Sequence, residues 1–200
     1  MIEALKAIDK SLFLLLNFDG GTFIDSLMTF ISSKYFNIIV LFPAIFFLIK
    51  SRKIYFIIPL MFAALSIVLT DQGSVHLFKN FFQRLRPCHA ADMEGLVHLV
   101  NNRCGGLFGF ISSHAANTAG IVTFLISIFK LFKHKSIAVA LLIWLVLVGY
   151  SRIYLGAHYP ADVLVGWLFG FIIGLLLSKI YLKLEHKLFP IHILKHQKSE

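Results

Sequence analysis

The chain has 200 residues, of which 58% are hydrophobic and 21 are phenylalanine, and its mean hydropathy is +0.81. Several apolar runs approach the roughly 20 residues that cross a bilayer, so the composition excludes an ordinary soluble domain and points to an integral membrane protein. The formal net charge of +9 does not mark a nucleic-acid partner, because the basic residues gather at the ends of the apolar runs.

In chain order, residues 1–20 place Ile2, Leu5, Ile8, Leu12 and Leu16 at helical spacing, with Glu3, Lys6, Asp9 and Lys10 between them. This pattern predicts an amphipathic helix lying at the membrane interface. Residues 12–16 are too short an apolar core for a signal peptide, and no small-residue cleavage site follows them. Asn17 to Gly21 reads as a turn.

A first span is expected over residues 25–49 and a second over 54–70, continuing as a helix through residues 71–85 until Pro87 stops it. A loop rich in glycine, asparagine and charge occupies residues 88–110. Further spans are expected over 115–132, 136–150 and 161–178, followed by a basic tail over 179–200. The expected fold is all-α: one membrane helical bundle of about five spans plus the N-terminal helix, with no repeat and no second domain. The basic clusters are Lys50, Arg52 and Lys53; Lys130, Lys133 and Lys135; and Lys179, Lys183, Lys187, Lys195 and Lys198. With five spans all three fall on one side, which the positive-inside rule makes cytoplasmic. Cys88 and Cys104 then lie in the non-cytoplasmic loop. There they either pair, closing a loop worth about 3 kcal/mol, or stay as two reduced thiols. A zinc site from Cys88, His89, His98 and Cys104 fits no standard ligand spacing.

The same topology sends three polar stretches to the outer face. In the first, Gln72, His76, Lys79, Gln83 and Arg86 step by four and three along one helix face, so Lys79 and Arg86 can converge on an anion. Snorkelling of both cations to lipid headgroups is the plain alternative. In the second, Ser112 and Ser113 stand at a helix start, where free backbone N–H groups suit phosphate, with His114 in the first turn. An ordinary serine cap beside an interfacial histidine fits equally. In the third, Pro160 opens a helix, with His158 just before it and Asp162 in its first turn. Asp162 is placed to hold one ring nitrogen of His158 and leave the other free, and Arg152 can neutralise an anion beside it.

Lys79-x6-Arg86-Pro87, then Ser112-Ser113-His114, then Ser151-Arg152-x5-His158-x3-Asp162 resemble the three signature motifs of the type-2 phosphatidic acid phosphatase superfamily. The resemblance covers about residues 55–178. One departure lies in the second motif, usually Pro-Ser-Gly-His, where Ile111 and Ser113 replace the proline and the glycine. The resemblance implies a lipid phosphatase in which His158 is the nucleophile, Asp162 its orienting partner and His114 the general acid. Lys79, Arg86, Arg152 and Ser112, with Ser113 beside it, would bind the phosphoryl oxygens. It implies no metal and no cofactor. The expected partners are the bilayer and a membrane lipid phosphate: undecaprenyl pyrophosphate or a phospholipid phosphate, with lipid A phosphate as the alternative. The expected location is a bacterial inner membrane, with the site on the extracytoplasmic face. A transporter with an interfacial anion site is the competing class, but the polar residues gather at one face and do not run through the bilayer centre. A vanadate-dependent haloperoxidase shares these motifs but is a soluble class of enzyme. Oligomeric state is not legible from the sequence.

Overall fold

The computed structural model describes residues 2–129, 131 and 135–188. Lys130 and Lys133 of the second basic cluster, and Lys195 and Lys198 of the tail, lie outside the described residues. The fold is an all-α membrane bundle. The helices are α1 (Ile2–Leu16), α2 (Gly21–Ile31), α3 (Lys34–Arg52), α4 (Ile57–Phe82), α5 (Ser113–Ile128), α6 (Lys135–Tyr154) and α7 (Pro160–Leu188). Among the described residues α4, α6 and α7 are each long and apolar enough to cross a membrane, and α2 with α3 forms a fourth candidate, bent by 54°. At 16 residues α5 is shorter than expected, about 24 Å of helix. It is also the innermost helix, with eleven buried residues.

The most extensive helix contact is between α5 and α7. Asp162, Gly166, Gly170 and Gly174 step by four along α7, and this face lies on Ala115, Ala116, Ala119 and Gly120 of α5. A Cβ on Gly166 would stand 2.8 Å from the Ser112 carbonyl oxygen, and one on Gly170 would strike the Ala116 carbonyl and come within 2.9 Å of the Ala119 Cβ. Backbones approach this closely only where side chains are small. Gly170→Ala should therefore force α5 and α7 apart and cost about 1–3 kcal/mol, as overpacking does. Thermal unfolding in detergent checks this, and an unchanged midpoint would contradict the packing.

The end of α4 also differs from the sequence expectation. Helix α4 contains a π-helical segment, Ser74–Lys79, and ends at Phe82, because Gln83 turns left-handed with φ 47°. Arg86 therefore leaves the expected helix face and sits in extended backbone, held by Arg86 N–H to Leu107 O (3.1 Å) and Gly109 N–H to Arg84 O (2.8 Å). Gln72, His76 and Gln83 are exposed, so of the expected stripe only Lys79 and Arg86 turn inward.

Helix α1 forms where an amphipathic helix is expected. Its apolar stripe points out, with Leu5 at 60%, Ile8 at 57% and Leu12 at 45% exposure, whereas Phe13 is fully buried and Asp9, with Asn17 just after the helix, is buried too. A helix between bilayer and protein turns its greasy stripe to lipid and its polar side to the protein. Phe13 meets the Tyr159 ring edge-on at 5.4 Å. Asn17 donates to the carbonyls of Ile153 (3.2 Å) and Tyr154 (2.7 Å), satisfying acceptors that the end of α6 leaves open.

In the 83–112 connection Cys88 and Cys104 form a disulfide, with Cα atoms 5.8 Å apart. His89 lies beside the paired sulfurs, but His98 is turned away to Asp25 (2.9 Å). The four residues considered for zinc are thus not one ligand set.

Candidate active site

The C-terminal end of α4, the start of α5, the end of α6 and the start of α7 meet at one end of the bundle. Each brings a polar group. Ser112 caps α5 by accepting from Ala115 N–H (3.4 Å), and its own N–H donates to the Asp162 carbonyl (3.0 Å), which ties α5 to α7. Because Ser112 is fully buried and used as a cap, Ser113 presents the hydroxyl that the site meets. The Lys79 ammonium donates to Ser113 Oγ at 2.6 Å, and Ser74 Oγ lies 2.6 Å from the same atom. His114, next in the turn, is exposed and lies within electrostatic reach of Arg152, His158, Lys79 and Arg86.

His158 is buried in the short connection between α6 and α7. Its Nδ1 lies 3.5 Å from Asp162 Oδ2, an ion-pair distance longer than a good hydrogen bond, and its Nε2 faces Arg86 Nη1 at 3.5 Å. Asp162 is fully buried, and its Oδ2 also accepts from Tyr159 N–H (3.0 Å). Gly109 fits between them: a Cβ there would stand 3.1 Å from Arg86 Cγ and 3.2 Å from Asp162 Oδ2. Arg152 donates to Ser32 at the break between α2 and α3. Among the described residues, Nε of Arg86, Nε of Arg152 and Nδ1 of His158 are buried without a hydrogen-bond partner. Buried guanidinium donors of this kind are what a tetrahedral anion requires.

The sequence reading did not single out Arg84, Asp9, Ser74 or Ser32. Arg84 binds Asp162 Oδ1 (2.9 Å) and Asp9 Oδ2 (2.6 Å) at once. No local pattern signals this, since the three residues are separated by 75 and 78 positions. Ser74 carried one usable sign, a small polar residue on the Lys79 side of an apolar span.

Burial first, then the charges of Arg86, Arg152 and Lys79, hold the His158 imidazole well below the ordinary histidine range. The ring is therefore neutral at pH 7. In the unfolded chain the same ring takes a proton near pH 6.5. Below that pH the unfolded state binds the extra proton, so stability falls with acidification. Between pH 7 and 5 the wild type should lose thermal stability more steeply than His158→Gln; equal slopes in detergent-solubilised protein would contradict a neutral buried ring.

The site is a neutral buried imidazole backed by a carboxylate, one lysine and two arginines around it, and an exposed second histidine at the N-terminus of α5. That set suits phosphoryl transfer to nitrogen, with cations positioned to hold the charge on the equatorial oxygens. The sequence matches the model of the PAP2 superfamily over residues 59–185. It is 33% identical over 184 residues to a lipid A 4'-phosphatase of Porphyromonas gingivalis, covering 90% of this chain and 76% of that one. It is also 33% identical over 190 residues to a lipid A 4'-phosphatase of Bacteroides thetaiotaomicron, covering 90% and 83%. The fold resembles the crystal structure of a transmembrane PAP2-type phosphatidylglycerolphosphate phosphatase from Bacillus subtilis, with a TM-score of 0.64 and 26% identity over 90% of this chain and 87% of that one. The chain belongs to the PAP2 superfamily and is a membrane phosphatase.

Proposed function

We propose that the protein removes a phosphate monoester from a sugar-borne lipid of the lipid A type, at the extracytoplasmic face of a bacterial inner membrane, through a phosphohistidine on His158. The observation that carries the chemistry is the meeting of His158, backed by Asp162, with Lys79, Arg86, Arg152 and His114 at one end of the α5–α7 pair. The substrate class rests on the two lipid A 4'-phosphatases, each aligned over 90% of the chain. This moves undecaprenyl pyrophosphate and phospholipid phosphates, expected first from the sequence alone, behind lipid A. The basic residues at the opposite ends of the spans support the assignment of the face.

In this mechanism Nε2 of His158 attacks phosphorus as the bond to the leaving oxygen breaks. Asp162, on the other side of the ring, favours the tautomer that leaves Nε2 unprotonated. Lys79, Arg86, Arg152 and the hydroxyl of Ser113 stabilise the equatorial oxygens, and the α5 amide groups behind Ser112 add their dipole. His114 gives its proton to the departing alcohol. It then takes one from the water that attacks the phosphoenzyme, releasing inorganic phosphate. None of these steps requires a metal.

The test is phosphate release by the purified protein from lipid A, undecaprenyl pyrophosphate and phosphatidylglycerol phosphate, each with and without EDTA. Preferential hydrolysis of lipid A that EDTA does not affect supports the proposal. Preference for either other lipid would overturn the substrate, and an EDTA-sensitive rate would overturn the mechanism.

A further inference from the structure

We propose that Arg84 is a positioning residue of this site: held between Asp9 and Asp162, it fixes the carboxylate behind His158 and joins the nucleophile to the N-terminal interfacial helix. The inference rests on the reading of His158 as nucleophile. Nothing in that reading requires Arg84, which occupies one of the six unspecified positions between Lys79 and Arg86 in the first motif.

The guanidinium uses both of its ends. Its Nη1 donates to Asp162 Oδ1 at 2.9 Å and its Nη2 to Asp9 Oδ2 at 2.6 Å, while Cζ lies 4.1 Å from the centre of the Tyr159 ring. Two hydrogen bonds and a stacked face leave the fork little freedom, which only arginine geometry allows. The backbone places it. The left-handed Gln83 ends α4, and Arg84 O then accepts from Gly109 N–H at 2.8 Å.

Asp162 is fully buried and shares its two oxygens between different partners. Oδ1 goes to Arg84; Oδ2 faces Tyr159 N–H and His158 Nδ1. If Arg84 is removed, the carboxylate keeps its burial but loses its cation and can rotate. Asp9 reinforces the arrangement, because its Oδ1 accepts from Ala161 N–H (2.8 Å) in the first turn of the helix that carries Asp162. The buried side of α1, Asp9 on Ala161 and Phe13 on Tyr159, thereby reaches the residues that follow His158.

A pin that only supported the fold would change stability and all ligand affinities together. A positioning residue changes the attacking nitrogen and spares the anion-binding cations. Orthovanadate forms a bond to an imidazole nitrogen and mimics the transition state, whereas inorganic phosphate needs only the cations. For full-length Arg84→Ala, vanadate affinity should fall roughly tenfold or more with phosphate affinity unchanged. Turnover of lipid A should fall roughly 100-fold in kcat at constant KM, the scale of a small misplacement at a reacting centre. Added guanidinium chloride should restore part of both. Arg84→Lys, which cannot span the two carboxylates, and Asp9→Asn, which keeps an acceptor for Ala161, should show smaller losses of the same kind.

Equal loss of vanadate and phosphate binding without guanidinium rescue would overturn the proposal. Should Arg84→Ala fail to fold, wild-type vanadate affinity in both milder variants would overturn it just as well. His158→Ala run in parallel separates the two ideas. If it still binds vanadate like the wild type, the nucleophile reading is at fault. If it loses vanadate while the Arg84 variants keep it, only the positioning role falls.

Discussion

His158→Ala is expected to lose phosphate release by roughly 10⁴-fold or more, the scale seen when a covalent mechanism loses its nucleophile. The protein should still fold and still bind inorganic phosphate. Lys79, Arg86 and Arg152 sit on three separate segments, and each keeps a tie that does not involve the His158 ring: Lys79 to Ser113, Arg86 to the Ala157 carbonyl and Arg152 to Ser32. The backbone N–H of His158, which donates to Arg152 O (3.2 Å), survives the substitution. The arrangement of the cations is therefore expected to outlast the imidazole. Phosphate release comparable with that of the wild type would mean that water attacks the substrate directly. His158 would then be one more buried polar residue at a helix start.

His114→Gln is expected to cost about 10²–10⁴-fold in turnover, the usual contribution of a general acid. The loss should depend on the leaving group. An alkoxide leaving from a sugar or glycerol needs the proton, whereas para-nitrophenolate does not. The variant should therefore fall far behind the wild type on a lipid phosphate and close much of the gap on para-nitrophenyl phosphate. The exposed ring beside Ser113 fits this part, since a group that must meet both the departing alcohol and the incoming water needs an open side. An equal loss on both substrates would assign His114 to binding rather than proton transfer.

The sequence made the broad plan readable because a bilayer leaves few choices. Apolar runs must become helices, and the few polar residues at their ends stand out against phenylalanine and leucine. The start of α7 at Pro160 was legible for the same local reason: proline fixes the first turn and forces Tyr159 out of it. Three features resisted, each with a physical cause. Glutamine rarely adopts positive φ, so the left-handed turn at Gln83 had no signature, and the helix was extended past its true end. The periodicity of α1 showed that the helix has two faces but not which one meets protein, and the bilayer reverses the rule that holds in water. The Asp9–Arg84–Asp162 arrangement joins residues far apart in sequence, and charge spacing within a helix says nothing about such pairs. The assignment between the two serines also needed coordinates: both fit a helix start, but only one can cap, and the cap went to Ser112.

The central claim is that phosphorus passes through a covalent bond to His158. The most direct measurement is rapid quenching of the enzyme with lipid substrate carrying radioactive phosphate, followed by peptide mapping. A stoichiometric label is expected, stable in base and lost in acid, located on the peptide containing His158 and absent from His158→Ala. His114→Gln is also expected to accumulate the label when its phosphoryl donor has a good leaving group, since hydrolysis of the intermediate then lacks its base. A label on another residue, or turnover with no protein-bound phosphate at any quench time, would contradict that claim.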